Sequence, residues 1–144
     1  MQLFPQNTKV EALKRIPLFE DLSRKELAAL ARIPEDVEVP EGKVLCKEGE
    51  IGREFFVIIE GEADVTRRGK HLATDRGGEF FGEISLLEHT PRVATVTAKT
   101  PLRFFVLTSQ DFRHLLDKNP KVERKVLQAL ARRVLALSND PAVA

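Results

Sequence analysis

The segment between residues 77 and 96 contains the residue types in this chain that could hold a small anion. Gly82 stands directly before a short run with helical character, and the glycine pair Gly77-Gly78 precedes it. A glycine here lets a ligand approach the backbone, and the first turn of a helix offers unpaired N–H groups. Arg92, which follows the break at Thr90-Pro91, could add a permanently charged, two-pronged donor.

Glu83 adds a different chemistry to this basic setting. An ionised carboxylate only accepts hydrogen bonds, so it suits a sugar hydroxyl that lies beside a phosphate. Each residue also has a plain structural interpretation: Glu83 could favour the helix dipole, and Gly82 could be a turn glycine. Arg92 could be a surface residue and Ser85 a first-turn helix residue without ligand contact. Their joint spacing favours a site for a phosphate with a sugar hydroxyl close by.

The composition is that of an ordinary globular protein and predicts a single domain over residues 1–144. The chain has 42% hydrophobic and 31% charged residues, and its formal net charge of +1 argues against direct DNA binding. No apolar run approaches the roughly 20 residues of a membrane span, and the N-terminus lacks a secretory signal pattern. The single cysteine, Cys46, excludes an internal disulfide. We therefore expect a cytoplasmic protein without a membrane span.

Residues 8–34 predict an N-terminal helical module. A helix over residues 8–16 should end before Pro17, because the residue before a proline is pushed out of the helical region. Ser23 and Glu26 form a capping-box pattern that starts a second helix, which Pro34 ends.

Residues 35–108 change to short strand patterns separated by turn signals. The clearest are Val44–Lys47, Phe55–Ile59, residues 93–98 and residues 102–107, with a hairpin tip at residues 67–70. Many short strands at near-regular spacing predict a mainly β fold with flanking helices, a jelly-roll-like β-roll or barrel. The 77–96 segment, with its short helix, lies inside this region.

Residues 109–138 predict C-terminal helices. Ser109 is expected to cap the first, and Asn119-Pro120 to start the second with proline at its first position. The second helix carries an apolar stripe from Val122 to Leu137 and another beside it through Leu127 and Leu135. One stripe should pack on the barrel, whereas the other could be core edge, a homodimer contact or a lid over a ligand.

The 77–96 segment resembles the phosphate-binding cassette of cyclic nucleotide-binding domains. The resemblance lies in Phe81-Gly82-Glu83-Ile84-Ser85-Leu86-Leu87 followed by Pro91-Arg92-Val93-Ala94-Thr95-Val96. It extends to the turn at Gly42, Glu48-Gly49 and Ile59-Glu60-Gly61, and covers about residues 12–138. The family includes regulatory subunits of cyclic-AMP-dependent kinase, the catabolite activator protein and cyclic-nucleotide-gated channels.

The resemblance implies a role for each cassette residue. Glu83 corresponds to the glutamate that accepts the ribose 2′-hydroxyl, and Arg92 to the arginine that neutralises the cyclic phosphate. Gly82 and the backbone N–H groups of Ile84, Ser85 and Ala94 would complete the cradle. The implied binding residues are Phe81, Gly82, Glu83, Ile84, Ser85, Arg92, Val93 and Ala94.

The resemblance also bears on the base. Members selective for cyclic GMP tend to place a threonine or serine just after the arginine, whereas Val93 offers no hydroxyl. This favours cyclic AMP over cyclic GMP as the ligand, and no metal or other cofactor is implied. Family members cover the base with a side chain from the C-terminal helix. The lid candidates are Arg132, Arg133, Leu135 and Ala136.

Three alternatives stay open beside a regulatory sensor that acts on an unknown protein effector. A cupin-type metal enzyme needs closely spaced histidines, but His71, His89 and His114 lie far apart in sequence. A transcription factor of this family would continue into a helix-turn-helix, whereas the sequence stops at Ala144. The third alternative is a domain that keeps the fold as a structural or interaction module without binding. We expect a non-enzymatic sensor.

Overall fold

Two short helices precede the sheets in the computed structural model, which describes the backbone of residues 6–137 and the side chains of residues 9–135. Helix α1 spans Gln6–Lys14, a 3-10 turn spans Pro17–Phe19, and helix α2 spans Arg24–Leu30. The predicted capping box is present. Ser23 Oγ accepts the Glu26 N–H at 3.1 Å, and Glu26 Oε1 accepts the Ser23 N–H at 2.9 Å. Helix α2 ends at Leu30, three residues before the end that Pro34 predicted. Arg32 and Ile33 instead form turns, in which their N–H groups donate to Ala29 O and Leu30 O.

The central part forms two four-stranded antiparallel sheets. One sheet has the order β1-β8-β3-β6 and the other β2-β7-β4-β5. The strands are β1 Glu35–Val39, β2 Val44–Cys46, β3 Glu54–Glu60, β4 Glu62–Arg67, β5 Lys70–Arg76, β6 Phe80–Phe81, β7 Thr95–Ala98 and β8 Leu102–Thr108. This arrangement confirms the predicted β-roll with flanking helices.

Two details of the 77–96 segment differ from the prediction. Phe80–Phe81 is a short strand that was not predicted, because it pairs with Phe56 and Val57 of β3. Helix α3, Glu83–Glu88, then begins directly after Gly82, as predicted. The predicted strand over residues 93–98 begins only at Thr95. Just before it, the Arg92 N–H donates to Glu50 O at 2.7 Å, and Arg92 O accepts the Gly49 N–H at 2.8 Å. These bonds hold the chain against the β2–β3 loop.

Helices α4, Ser109–Lys118, and α5, Pro120–Leu137, follow the sheets. Thr108 caps α4 instead of Ser109, since its Oγ1 accepts the Asp111 N–H at 3.1 Å. Helix α5 begins at Pro120 as predicted. The last predicted helical position, Ser138, and the predicted end at Asp140-Pro141 lie outside the described residues.

Helix α5 packs on the domain mainly through its first half. Val122 and Val126 are 1% exposed, whereas Leu127 and Val134 are more than half exposed. Lys125 ties this half to the 3-10 turn, because its Nζ donates to Pro17 O at 2.7 Å and to Glu20 Oε1 at 2.9 Å. No helix within residues 6–137 is long and apolar enough to cross a membrane.

Candidate functional site

A cleft of about 180 Å³ lies between the second sheet and the segment around α3. The eight residues predicted to bind ligand all line it: Phe81, Gly82, Glu83, Ile84, Ser85, Arg92, Val93 and Ala94. The remaining lining residues come from strands β2, β4, β5 and β7 and from helix α5. The structure therefore brings the predicted site residues together in one place.

Arg92 is held in this cleft by hydrogen bonds to two backbone carbonyl oxygens. Its side chain is buried, with Nη1 donating to Gly82 O at 2.9 Å and Nη2 to Glu54 O at 2.8 Å. The guanidinium also lies 5.8 Å from the centroid of the Phe56 ring. An arginine has five N–H donors, so these two bonds orient the group and leave others for an anion.

Two glycines make room for this guanidinium. A Cβ on Gly52 would lie 2.5 Å from Arg92 Cζ, and a Cβ on Gly82 would lie 2.9 Å from Arg92 Nη1. Gly82 also has a φ of +96°, which favours glycine. No local pattern in the sequence marks Gly52, because the side chain that packs against it lies 40 positions later.

Gly52→Ala should disturb both the anion site and the local packing. The new methyl group would overlap the Arg92 side chain, so the guanidinium has to move. We expect cyclic nucleotide affinity to fall at least tenfold, about 1.4 kcal/mol. The free energy of unfolding should fall by about 1 to 2 kcal/mol, because the displaced guanidinium no longer donates to Gly82 O and Glu54 O. Calorimetric titration and thermal melting measure the two effects, with substitution of the exposed neighbour, Arg53→Ala, as control. Unchanged affinity would show that Gly52 does not set the position of Arg92.

Glu83 lies in the same cleft and is only 1% exposed. Its Oε1 accepts a hydrogen bond from Nη1 of Arg133 on α5, and Nη2 of Arg133 donates to Phe80 O. Within the described residues, Glu83 Oε2 has no hydrogen-bond partner. A buried carboxylate oxygen without a donor is costly, so this atom is ready to accept a hydroxyl group.

The lid candidates are placed differently from one another. Arg133 lines the cleft and is held at Glu83, whereas Arg132 lines a separate groove beside the 3-10 turn. Leu135 is 61% exposed and is not part of the cleft lining. The side chain of Ala136 lies outside the described residues. In this structure, Arg133 contacts the carboxylate of Glu83 and the carbonyl oxygen of Phe80.

Asp75 on β5 is a buried acid in the cleft that the sequence reading did not single out. Burial raises the pKa of its carboxyl group to about 6, against the opposing effect of Arg133 and with further increases from Glu79 and Glu83. The neighbouring acids and arginine come from the turn before β6, from α3 and from α5. No local sequence signal distinguishes this aspartate from an exposed strand residue, because its burial depends on these other elements.

The raised pKa of Asp75 predicts a pH-dependent stability. The unfolded chain loses this proton near pH 4 but the folded protein only near pH 6, so the penalty for the buried charge is absent below pH 4 and complete above pH 6. Asp75→Asn should raise the free energy of unfolding by about 2 kcal/mol at pH 7.5 and change it little at pH 4. Denaturant titrations at both pH values measure this, with the exposed Asp117→Asn as control. Equal effects at both pH values would contradict the assignment.

Residues that would serve metal or nucleophilic chemistry are not gathered in the cleft. Within the described part of the chain, no group of three or more His, Cys, Asp or Glu side chains is arranged to hold a metal ion. Cys46 lines the cleft, but burial raises the pKa of its thiol to about 11, so the nucleophilic thiolate is suppressed. The cleft combines fixed hydrogen-bond donors and acceptors, which is suited to binding.

The comparison with known families agrees with this geometry. The family model described as "Cyclic nucleotide-binding domain" matches residues 36–119, more than half of the chain. The chain belongs to the cyclic nucleotide-binding domain family. The resemblance to this family that the sequence indicated is therefore confirmed.

Individual relatives show how far the similarity extends. A cAMP-dependent protein kinase regulatory subunit from Yarrowia lipolytica is 41% identical over 106 residues, which cover 72% of this chain and 28% of the relative. The chain thus spans about a quarter of that relative's length. Among solved structures, "cAMP bound PfPKA-R (141-441)" matches with a TM-score of 0.85 at 26% identity, covering 92% of this chain and 46% of that one.

One solved relative is described as independent of cAMP. The "regulatory subunit of a cAMP-independent protein kinase A" from Trypanosoma brucei matches with a TM-score of 0.77 and 28% identity. The match covers 85% of this chain and 47% of that one. Membership in the cyclic nucleotide-binding domain family therefore fixes the fold, and the ligand has to be argued from the cleft of each member.

Proposed function

We propose that this domain binds a cyclic nucleotide, with cyclic AMP preferred, as a regulatory sensor without catalytic activity. The observation that carries the proposal is the pairing of buried Arg92 with the unpartnered Oε2 of Glu83 in one cleft. A cyclic phosphodiester has one negative charge, which the guanidinium can match without a metal ion. The free carboxylate oxygen can then accept the ribose 2′-hydroxyl.

The preference for cyclic AMP rests on Val93. This side chain lines the cleft directly after Arg92 and is 39% exposed, but it cannot hydrogen-bond to the 2-amino group of guanine. Side-by-side calorimetric titration with cyclic AMP and cyclic GMP tests the proposal, and chromatography of the recovered ligand tests for hydrolysis. We expect one bound nucleotide per chain, tighter binding of cyclic AMP, and an intact ligand.

The second candidate function is a domain that keeps the fold and acts as an interaction module without cyclic nucleotide. The relative whose kinase is described as cAMP-independent supports this candidate. The ion pair of Arg133 with Glu83 supports it as well, because Arg133 already occupies one of the two carboxylate oxygens. Failure of both nucleotides to bind at millimolar concentration would favour this second function.

We also propose that ligand binding is passed on through α5. Arg133 connects α5 to the cassette at Glu83 and Phe80, so a ligand hydroxyl at Glu83 acts directly on this contact. A ligand shifts such an equilibrium only by its difference in affinity for the two arrangements. Hydrogen exchange of α5 with and without cyclic AMP should differ in the half that contains Arg133. Identical protection in both states would contradict the transmission.

The exposed apolar side chains of α5 would then serve an effector protein or a second copy of this chain. Leu127, Val134 and Leu135 are each more than half exposed. Light scattering at increasing concentration, with and without cyclic AMP, distinguishes a homodimer from a monomer that awaits another partner.

A further inference from the structure

Arg67 lies at the exposed end of the apolar wall that strand β4 contributes to the cleft. Side chains alternate between the two faces of a strand, so Ala63, Val65 and Arg67 share one face. Ala63 is fully buried, and both Val65 and Arg67 line the cleft. Arg67 itself is exposed, at the turn that leads into β5. Its aliphatic stem therefore continues the apolar wall, and its charged group lies at the opening.

The guanidinium of Arg67 differs from those of the other two arginines in the cleft. Arg92 is held by two carbonyl oxygens, and Arg133 is held by Glu83 and Phe80. Within the described residues, the Arg67 guanidinium has neither a hydrogen-bond acceptor nor a carboxylate partner. An unpaired cation at a cleft opening is free to contact a ligand without giving up an existing interaction.

The part of the cleft beside Arg67 suits a flat apolar group. Val65, Leu72 and Ala73 supply its wall. Among the described side chains, which end at Leu135, helix α5 contributes only Arg133 to the cleft lining, and Arg133 is held at Glu83. A purine placed against this wall would not be covered by any of these side chains of α5.

We propose that Arg67 covers the purine base of the bound nucleotide by stacking its planar guanidinium on the outer face of the ring. This assignment deepens the proposed function and rests on it. A guanidinium stacks on aromatic faces and is more weakly hydrated than an ammonium group, so it suits this position at the water boundary. Because every purine has such a face, the contact should strengthen binding of cyclic AMP and cyclic GMP alike.

The test compares Arg67→Ala and Arg67→Lys with Arg68→Asn. Arg68 lies one residue further into the same turn, does not line the cleft and has a φ of 53°, a conformation that asparagine tolerates. The control removes the same charge from the same hairpin. We expect Arg67→Ala to raise the Kd of both nucleotides about three- to tenfold, and Arg68→Asn to change it less than twofold. Arg67→Lys should recover only part of the loss, because an ammonium group keeps the charge but lacks the plane.

The other possible outcomes would contradict either the stacking of Arg67 on the base or the proposed function itself. Equal losses in Arg67→Ala and Arg68→Asn that disappear in 0.5 M salt would assign the effect to long-range attraction and overturn stacking. Full recovery with lysine would overturn it as well, and so would a loss confined to cyclic GMP, which indicates hydrogen bonding to the guanine edge. If the unmodified protein binds neither nucleotide, the proposed function itself fails. Normal binding by the unmodified protein and by Arg67→Ala contradicts the Arg67 assignment alone.

Discussion

Arg92→Ala should weaken cyclic AMP binding at least tenfold, about 1.4 kcal/mol, and is expected to have the largest effect of any single substitution in the cleft. The variant loses the charge that we propose binds the phosphate, and charged hydrogen bonds contribute more than neutral ones. It also leaves the carbonyl oxygens of Gly82 and Glu54 without their donor, so the free energy of unfolding should fall by about 1 to 2 kcal/mol. Calorimetric titration well below the melting temperature separates binding from stability.

Two further variants make the Arg92 result interpretable. Arg53→Ala removes an exposed arginine from the same loop region and should leave the affinity close to that of the unmodified protein. Arg92→Lys keeps the charge but lacks the fork that reaches two carbonyls and an anion together, so it should restore only part of the binding. Retention of full affinity by Arg92→Ala would remove this residue from the phosphate site.

Glu83→Gln should lower the affinity for cyclic AMP about tenfold, 1.4 kcal/mol, and affect the 2′-deoxy analogue much less. Glutamine preserves the size of the side chain but replaces one carboxylate oxygen by a donor, which cannot accept the ribose hydroxyl. Titration of both ligands against both proteins gives a double-mutant cycle whose coupling energy isolates the hydroxyl contact. The exposed Glu88→Gln at the end of the same helix is the control.

The 2′-deoxy analogue tests whether Glu83 contacts the ribose hydroxyl. An equal loss for both ligands would mean that Glu83 acts through its contact with Arg133 and not through the hydroxyl. A loss of folding in Glu83→Gln is a separate observable, which thermal melting detects.

The architecture was predictable because its signals are local. The capping box at Ser23, the proline at the start of α5 and the cassette pattern each involve neighbours in sequence, and each has its predicted counterpart in the structure. The β-roll followed from strand patterns and turn glycines at short intervals. The residues that line the cleft within the cassette were also found, since their spacing is fixed by one continuous segment.

The rest of the site depends on distant contacts. Gly52 packs on Arg92, and Asp75 is buried beside acids and an arginine from three other segments, so neither carries a local signal. Arg133 was one of four lid candidates because it lies on the C-terminal helix, and its contacts with Glu83 and with the carbonyl of Phe80 join residues about 50 positions apart. Arg67 looked like an ordinary hairpin residue. Only the register of β4 and β5 places it beside the cleft.

If ligand binding is passed on through α5, as we propose, the attachment of Lys125 to the 3-10 turn determines which part of the helix can move. Lys125 is held by Pro17, Glu20 and Asp21, whereas Arg133 lies about 12 Å further along the helix axis. Release of Arg133 would let the part of α5 beyond Lys125 move while Lys125 stays attached to the 3-10 turn. A small change at Glu83 would then become a larger displacement at the end of the helix. An effector protein that detects this change would have to bind α5 beyond Lys125.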